Sequence, residues 1–139
     1  HKYVDAPTRN LFEFGYGLSY TTFKYDKPRL AKSVISSAET TSVSVNVSNT
    51  GDVRGDEIVQ LYIRDNYSQV TRPVKELKGF KKINLAPNQS KTVSFKITPD
   101  MLAYYDLDMN YVVEPGKFTL MVGSSSRNSD LKKAYLEVK

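Results

Sequence analysis

Thr41-Ser42-Val43-Ser44-Val45-Asn46-Val47-Ser48-Asn49 carries valine at every second position and a serine or asparagine between. Successive side chains of an extended chain point to opposite faces, so this stretch has one all-valine face and one polar face. That is the pattern of a strand packed on one side in an antiparallel sheet. The same period returns along the chain. Val59, Leu61 and Ile63 stand opposite Gln60, Tyr62 and Arg64, and Val93, Phe95 and Ile97 alternate with Thr92, Ser94 and Lys96. Phe118, Leu120 and Val122 alternate with Thr119 and Met121, and Ala134, Leu136 and Val138 close the set.

The punctuation between these runs fits hairpins and corners. Asn49-Thr50-Gly51-Asp52 follows the valine strand, Ala86-Pro87-Asn88 precedes the phenylalanine strand, and Glu114-Pro115-Gly116 places Pro to fix φ and Gly to accept a positive one. The segment 74–85 is less regular, and Gly79 in its middle predicts a bulged strand. Thr98-Pro99-Asp100 has a capping residue, a Pro for the first helical position and an acid in the first turn, which predicts one short helical turn ending near Tyr105. About seven strands at this spacing point to an all-β, immunoglobulin-like or fibronectin type III-like antiparallel sandwich. The inward set holds about fifteen large apolar side chains, each contributing roughly 1.5–3 kcal/mol when buried, so the sandwich is expected to fold without neighbours.

At 139 residues the chain suits one domain, a sandwich over 22–139 preceded by a linker over 1–21. It opens on His1 rather than Met, from which we expect a longer parent polypeptide with any targeting signal upstream. No run approaches the roughly 18 apolar residues of a membrane helix. Cysteine is absent, so disulfides and thiolate metal sites are excluded. The formal charge is +5, but the lysines are scattered among apolar residues along strands, which is how solvated faces and protected sheet edges look. Nucleic acid is therefore not an expected partner.

Residues 1–21 have a different texture. Leu11, Phe12, Phe14, Tyr16, Leu18 and Tyr20 crowd around Gly15 and Gly17, a poor regular strand or helix. Apolar surface outside a sandwich is either covered or marks an interface, so these six residues either pack across the sandwich's own surface or dock onto a neighbouring domain, and a mixture of the two is expected. Left uncovered, they are also a source of weak self-association.

Candidate chemistry is sparse. Asp56 and Glu57 are adjacent carboxylates, but neighbours on a strand face opposite ways and cannot flank one bond. Asp106 and Asp108 sit among turn residues without further ligands. His1 is the only histidine and is terminal, which disfavours nucleophilic triads and zinc sites. Gly15 and Gly17 lack the third glycine and the following helix of a dinucleotide loop. No catalytic residue, metal or cofactor is expected. Arg54-Gly55-Asp56 spells an adhesion triplet at the entrance to a strand, and glycosylation sequons begin at Asn46, Asn66 and Asn88; both are short motifs that arise by chance. Ten tyrosines and no tryptophan leave two readings for Tyr62, Tyr67, Tyr104 and Tyr105. They form a sugar-stacking platform, or they bury their rings and bond backbone at sandwich corners, which is the favoured reading.

The string Leu11-Phe12-Glu13-Phe14-Gly15-Tyr16-Gly17-Leu18-Ser19-Tyr20-Thr21-Thr22-Phe23 resembles the linker into the C-terminal fibronectin type III-like domain of glycoside hydrolase family 3 enzymes, β-glucosidases and β-xylosidases among them. Asn49-Thr50-Gly51, Gly55-Asp56-Glu57-Ile58-Val59-Gln60-Leu61-Tyr62, Arg72-Pro73-Val74-Lys75-Glu76-Leu77-Lys78-Gly79-Phe80, Glu114-Pro115-Gly116 and Val122-Gly123-Ser124-Ser125 resemble the same domain in the same order. The resemblance implies an accessory domain that braces absent catalytic domains of its own chain, with no activity of its own. It further implies a periplasmic or secreted parent, and a loop lent near the active-site entrance. The longest polar loop, 65–72, is the candidate, with Asn66, Tyr67, Gln69 and Arg72 as its contact residues. The alternative is an independent carbohydrate-binding or adhesion module that uses tyrosines or the Arg54-Gly55-Asp56 triplet.

Overall fold

The structure, a computed structural model, describes residues 20–66 and 75–139. Within them lie eleven strands: β1 (Phe23–Tyr25), β2 (Arg29–Leu30), β3 (Val34–Ile35), β4 (Thr41–Asn49), β5 (Gly55–Asp65), β6 (Glu76–Leu85), β7 (Ser90–Ile97), β8 (Tyr104–Tyr105), β9 (Tyr111–Val112), β10 (Gly116–Gly123) and β11 (Leu131–Val138). One short helix, α1 (Pro99–Leu102), follows β7, and a 3₁₀ turn (Asn128–Asp130) precedes β11. The six long strands β4, β5, β6, β7, β10 and β11 are those that the alternation and the Gly79 signal predict.

Two sheets form the sandwich. In the first, β7 pairs along one edge of β4, while β1 and β2 share the other edge. β1 and β2 run as two halves of one interrupted strand. Asp26 N–H still donates to Asn46 O and Ala31 N–H to Ser42 O, but Pro28 between them has no N–H to give. The second sheet has the order β3-β11-β10-β5-β6, antiparallel except for the β3–β11 pair. The predicted bulge is present: Leu61 opposes Gly79 while Tyr62 opposes Leu77, leaving Lys78 as the extra residue.

The core lies between the sheets. Val43, Val45 and Val47 face the interior with Val93, Phe95 and Ile97, and meet Val59, Leu61, Ile63, Phe118, Leu120 and Leu136 from the other sheet. The outward face of β5 departs from the sequence expectation. Gln60 and Tyr62 belong to the side expected to be wetter, yet they are 1% and 4% exposed, and Tyr62 packs in a second cluster with Met121, Leu131 and Leu77. β5 and its neighbour β10, the middle strand of this sheet, are buried on both faces, so alternation alone understates their burial.

One turn matches its chemistry: Asn88 takes φ 64° after Pro87, with Gln89 N–H donating to Ala86 O. At Glu114-Pro115-Gly116 the expected tight turn is a bend at Pro115, and Gly116 takes φ 150° as it opens β10. The helical turn is shorter than predicted. It ends at Leu102, because Ala103 is extended (φ −83°, ψ 157°) and Tyr104 and Tyr105 pair with Val112 and Tyr111 in a small hairpin.

Candidate functional site

Asn49 fastens the linker's described end. Asn49, 1% exposed at the end of β4, accepts from Thr21 Oγ1 (2.8 Å) and from Gly51 N–H (2.9 Å) through its Oδ1. Its amide nitrogen donates to Val53 O and Leu85 O, both at 2.9 Å. All four bonds use one buried side chain, which joins the linker, the 50–53 turn and the end of β6. Thr50 N–H donates to Thr22 O at 2.8 Å, and the Thr22 and Thr50 hydroxyls lie 2.8 Å apart. Gly51 is required by this crossing: a Cβ there would stand 1.8 Å from Thr21 Oγ1. The Asn49-Thr50-Gly51 triplet is thus an anchor rather than a simple turn, and the clue is a carboxamide on the valine face of β4, two residues after Val47.

A second buried polar contact bridges the sheets. Tyr25 of β1 donates its hydroxyl to Glu57 Oε2 of β5 at 2.7 Å, with Glu57 only 3% exposed. Burial pushes the Glu57 carboxyl up to about 7, against the Tyr25 and Ile58 hydrogen bonds, which favour the charged form. Burial and the adjacent carboxylate push the Tyr25 phenol up as well, so it remains the donor.

The adjacent carboxylates diverge as expected. Asp56 accepts from Asn84 Nδ2 (2.7 Å) and lies 3.7 Å from Lys82 Nζ, while Glu57 turns inward. The Arg54-Gly55-Asp56 triplet is tied down, since Arg54 donates to Asn84 Oδ1 at 2.6 Å and Asp56 bonds the same residue. Asp106 spends its Oδ1 on the N–H groups of Asp108 and Asn110, both at 2.9 Å. Among the described residues no group of three or more carboxylates or histidines converges as metal ligands do.

Of the docking set, Leu11, Phe12, Phe14, Tyr16 and Leu18 lie outside the described residues; Tyr20 is 89% exposed, immediately before the Thr21 anchor. Of the loop set, Tyr67, Gln69 and Arg72 lie outside them, and Asn66 exchanges hydrogen bonds with Thr119 Oγ1 at 3.1 and 3.2 Å. Tyr67, of the tyrosines, also lies outside. Tyr62 is buried and donates to Gln60 Oε1 (2.7 Å), and half-buried Tyr104 donates to Glu114 Oε1 (2.7 Å), so the hydroxyls bond side chains rather than the expected backbone. Tyr105 is exposed beside Tyr111, ring centroids 5.0 Å apart and tilted by 46°.

Residues 57–126 match the sequence profile of the fibronectin type III-like domain. The chain is 56% identical over 129 residues to a β-xylosidase of Formosa agariphila, an alignment that takes in 93% of this chain and 18% of that protein. It is 42% identical over 125 residues to a periplasmic β-glucosidase of Salmonella typhimurium, covering 90% of this chain and 16% of the relative. A solved β-glucosidase from Erythrobacter marinus superposes with a TM-score of 0.82 at 40% identity, over 90% of this chain and 16% of the enzyme. The chain therefore spans about one-sixth of the length of the relatives it matches.

Proposed function

This chain belongs to the fibronectin type III-like domain family, and from that premise we propose that it is the non-catalytic accessory domain of a glycoside hydrolase family 3 β-glycosidase. In this reading it braces the catalytic domains of its own polypeptide. One observation carries the proposal: nearly the whole chain aligns with under a fifth of a β-xylosidase. The rest of such an enzyme is where its chemistry resides.

The local geometry is consistent with this role. Asp56 is held by Asn84, and Glu57 is buried against Tyr25. The Asn49 anchor fixes where the linker leaves the sandwich, which sets the angle at which a preceding domain would sit. The aromatic set Leu11 to Tyr20 is then the near side of the interdomain contact. The 65–72 loop, with Asn66, Tyr67, Gln69 and Arg72, is the part offered toward the catalytic entrance. The names of the relatives point to β-xylosides or β-glucosides as the parent's substrates, and the Salmonella enzyme's to a periplasmic or secreted parent. No helix among the described residues is long and apolar enough to cross a membrane.

The purified 139-residue chain is expected to give no turnover of 4-nitrophenyl β-xyloside or β-glucoside above the buffer rate. Turnover that persists through further purification, and is lost in the Glu57→Gln variant, would contradict the reading.

A further inference from the structure

The hairpin of β8 and β9 exposes four large apolar side chains within seven residues: Tyr105 63%, Leu107 87%, Met109 74% and Tyr111 54%. Single exposed hydrophobics need no explanation, but a contiguous group of this kind marks an interaction surface. The hairpin is also tied back by hydrogen bonds. Tyr104 Oη donates to Glu114 Oε1 at 2.7 Å, Tyr111 Oη donates to Asp100 O at 3.1 Å, and Asp106 closes the loop onto Asp108 and Asn110. Met109 sits at the tip with φ 65°, a left-handed conformation that costs a side-chain-bearing residue energy and that Gly or Asn would adopt more easily.

Charge narrows the partner. Segment 98–116 contains Asp100, Asp106, Asp108 and Glu114 and no Lys or Arg, in a chain whose net charge is +5. An apolar tip with an acidic rim fits an apolar recess bordered by basic side chains, since like charges on the two rims would repel. About five-sixths of the relatives' length lies outside this chain, so such a recess has an obvious source.

We propose that the 104–112 hairpin is a docking finger that seats Leu107 and Met109 in a basic-rimmed apolar recess on the catalytic body of the same polypeptide. This rests on the accessory-domain reading above and adds a second contact, apart from the linker. The linker sets where the domain leaves, and the hairpin sets how it is turned.

Hydrogen exchange read by mass spectrometry, on the 139-residue chain and on the full-length polypeptide that carries it, tests this. Amides of 105–111 are expected to exchange at least tenfold more slowly in the full-length protein. The Leu107→Asp/Met109→Asp variant should abolish that protection there, while leaving the melting temperature of the 139-residue chain unchanged. Tyr135→Ser, an exposed aromatic on another face, should leave the protection intact. Protection elsewhere on the sandwich with none at 105–111 would overturn the hairpin proposal and leave the accessory reading standing. Protection nowhere would overturn both. Protection that appears in the isolated chain with rising concentration would mean that a second copy is the occupant, and would also overturn the proposal.

Discussion

The Tyr25 hydroxyl and the Glu57 carboxylate meet at 2.7 Å between the two sheets, a polar bond set at the edge of an apolar core. The folded state holds Glu57's proton more tightly than an unfolded chain does, because its carboxyl is raised from 4.5 to about 7. A raised value means that its contribution to stability is complete below about pH 4.5 and is lost as pH climbs through 7. The loss is on the order of 3 kcal/mol. Denaturation of the 139-residue chain at pH 5 and pH 8 should reveal this slope, and Glu57→Gln should flatten it by gaining stability at pH 8. Tyr25→Phe removes a donor to the charged form, so it should shift the midpoint of the slope to higher pH and cost about 1–3 kcal/mol at pH 8.

Asn49→Ala leaves the carbonyls of Val53 and Leu85 without their side-chain donor and removes the acceptor of the Thr21 hydroxyl bond. Unmet buried groups cost about 1–3 kcal/mol each, so a loss of about 3 kcal/mol in urea denaturation is expected. Asn49→Asp keeps the acceptor but not the donor, and should be no better than Ala. Gly51→Ala forces the Thr21 crossing apart and should cost about 2 kcal/mol.

Met109→Gly relieves the left-handed strain at the hairpin tip and should raise stability by about 1 kcal/mol. Calorimetry of the isolated chain should register this as a melting temperature about 4 °C higher.

Leu120, fully buried between the sheets, should cost about 3 kcal/mol on truncation to Ala. Phe80→Ser, at a side chain 64% exposed, should stay within about 0.5 kcal/mol in the same denaturation series.

Most of the sandwich is readable from the alternation of β4, β7 and β11, because those strands bury one face and leave the other more open. β5 and β10 are the exceptions, buried on both faces. Gln60 and Tyr62 of β5 look solvated by residue type, yet both are buried, and they bond each other and Ser124 O. β1, β2 and β3 are two or three residues long, too short for any period to register. Glu57 is a case of partnership rather than pattern, since its burial depends on a tyrosine 32 positions away. The 104–112 hairpin was hidden for another reason. Its apolar side chains are outside, where a reading based on cores does not look. Asn49 is hidden for a further reason, since an asparagine before Thr50-Gly51 looks like an ordinary turn residue.

The central claim is that this sandwich braces catalytic domains and performs no chemistry itself. Scanning calorimetry of the full-length polypeptide, with and without residues 22–139, tests that most directly. The account predicts that the intact protein melts in one transition that includes the sandwich, and that the deletion lowers the melting temperature of the remaining catalytic body by more than about 5 °C. A sandwich that melts as a separate transition, with the catalytic body unmoved by its removal, would contradict it.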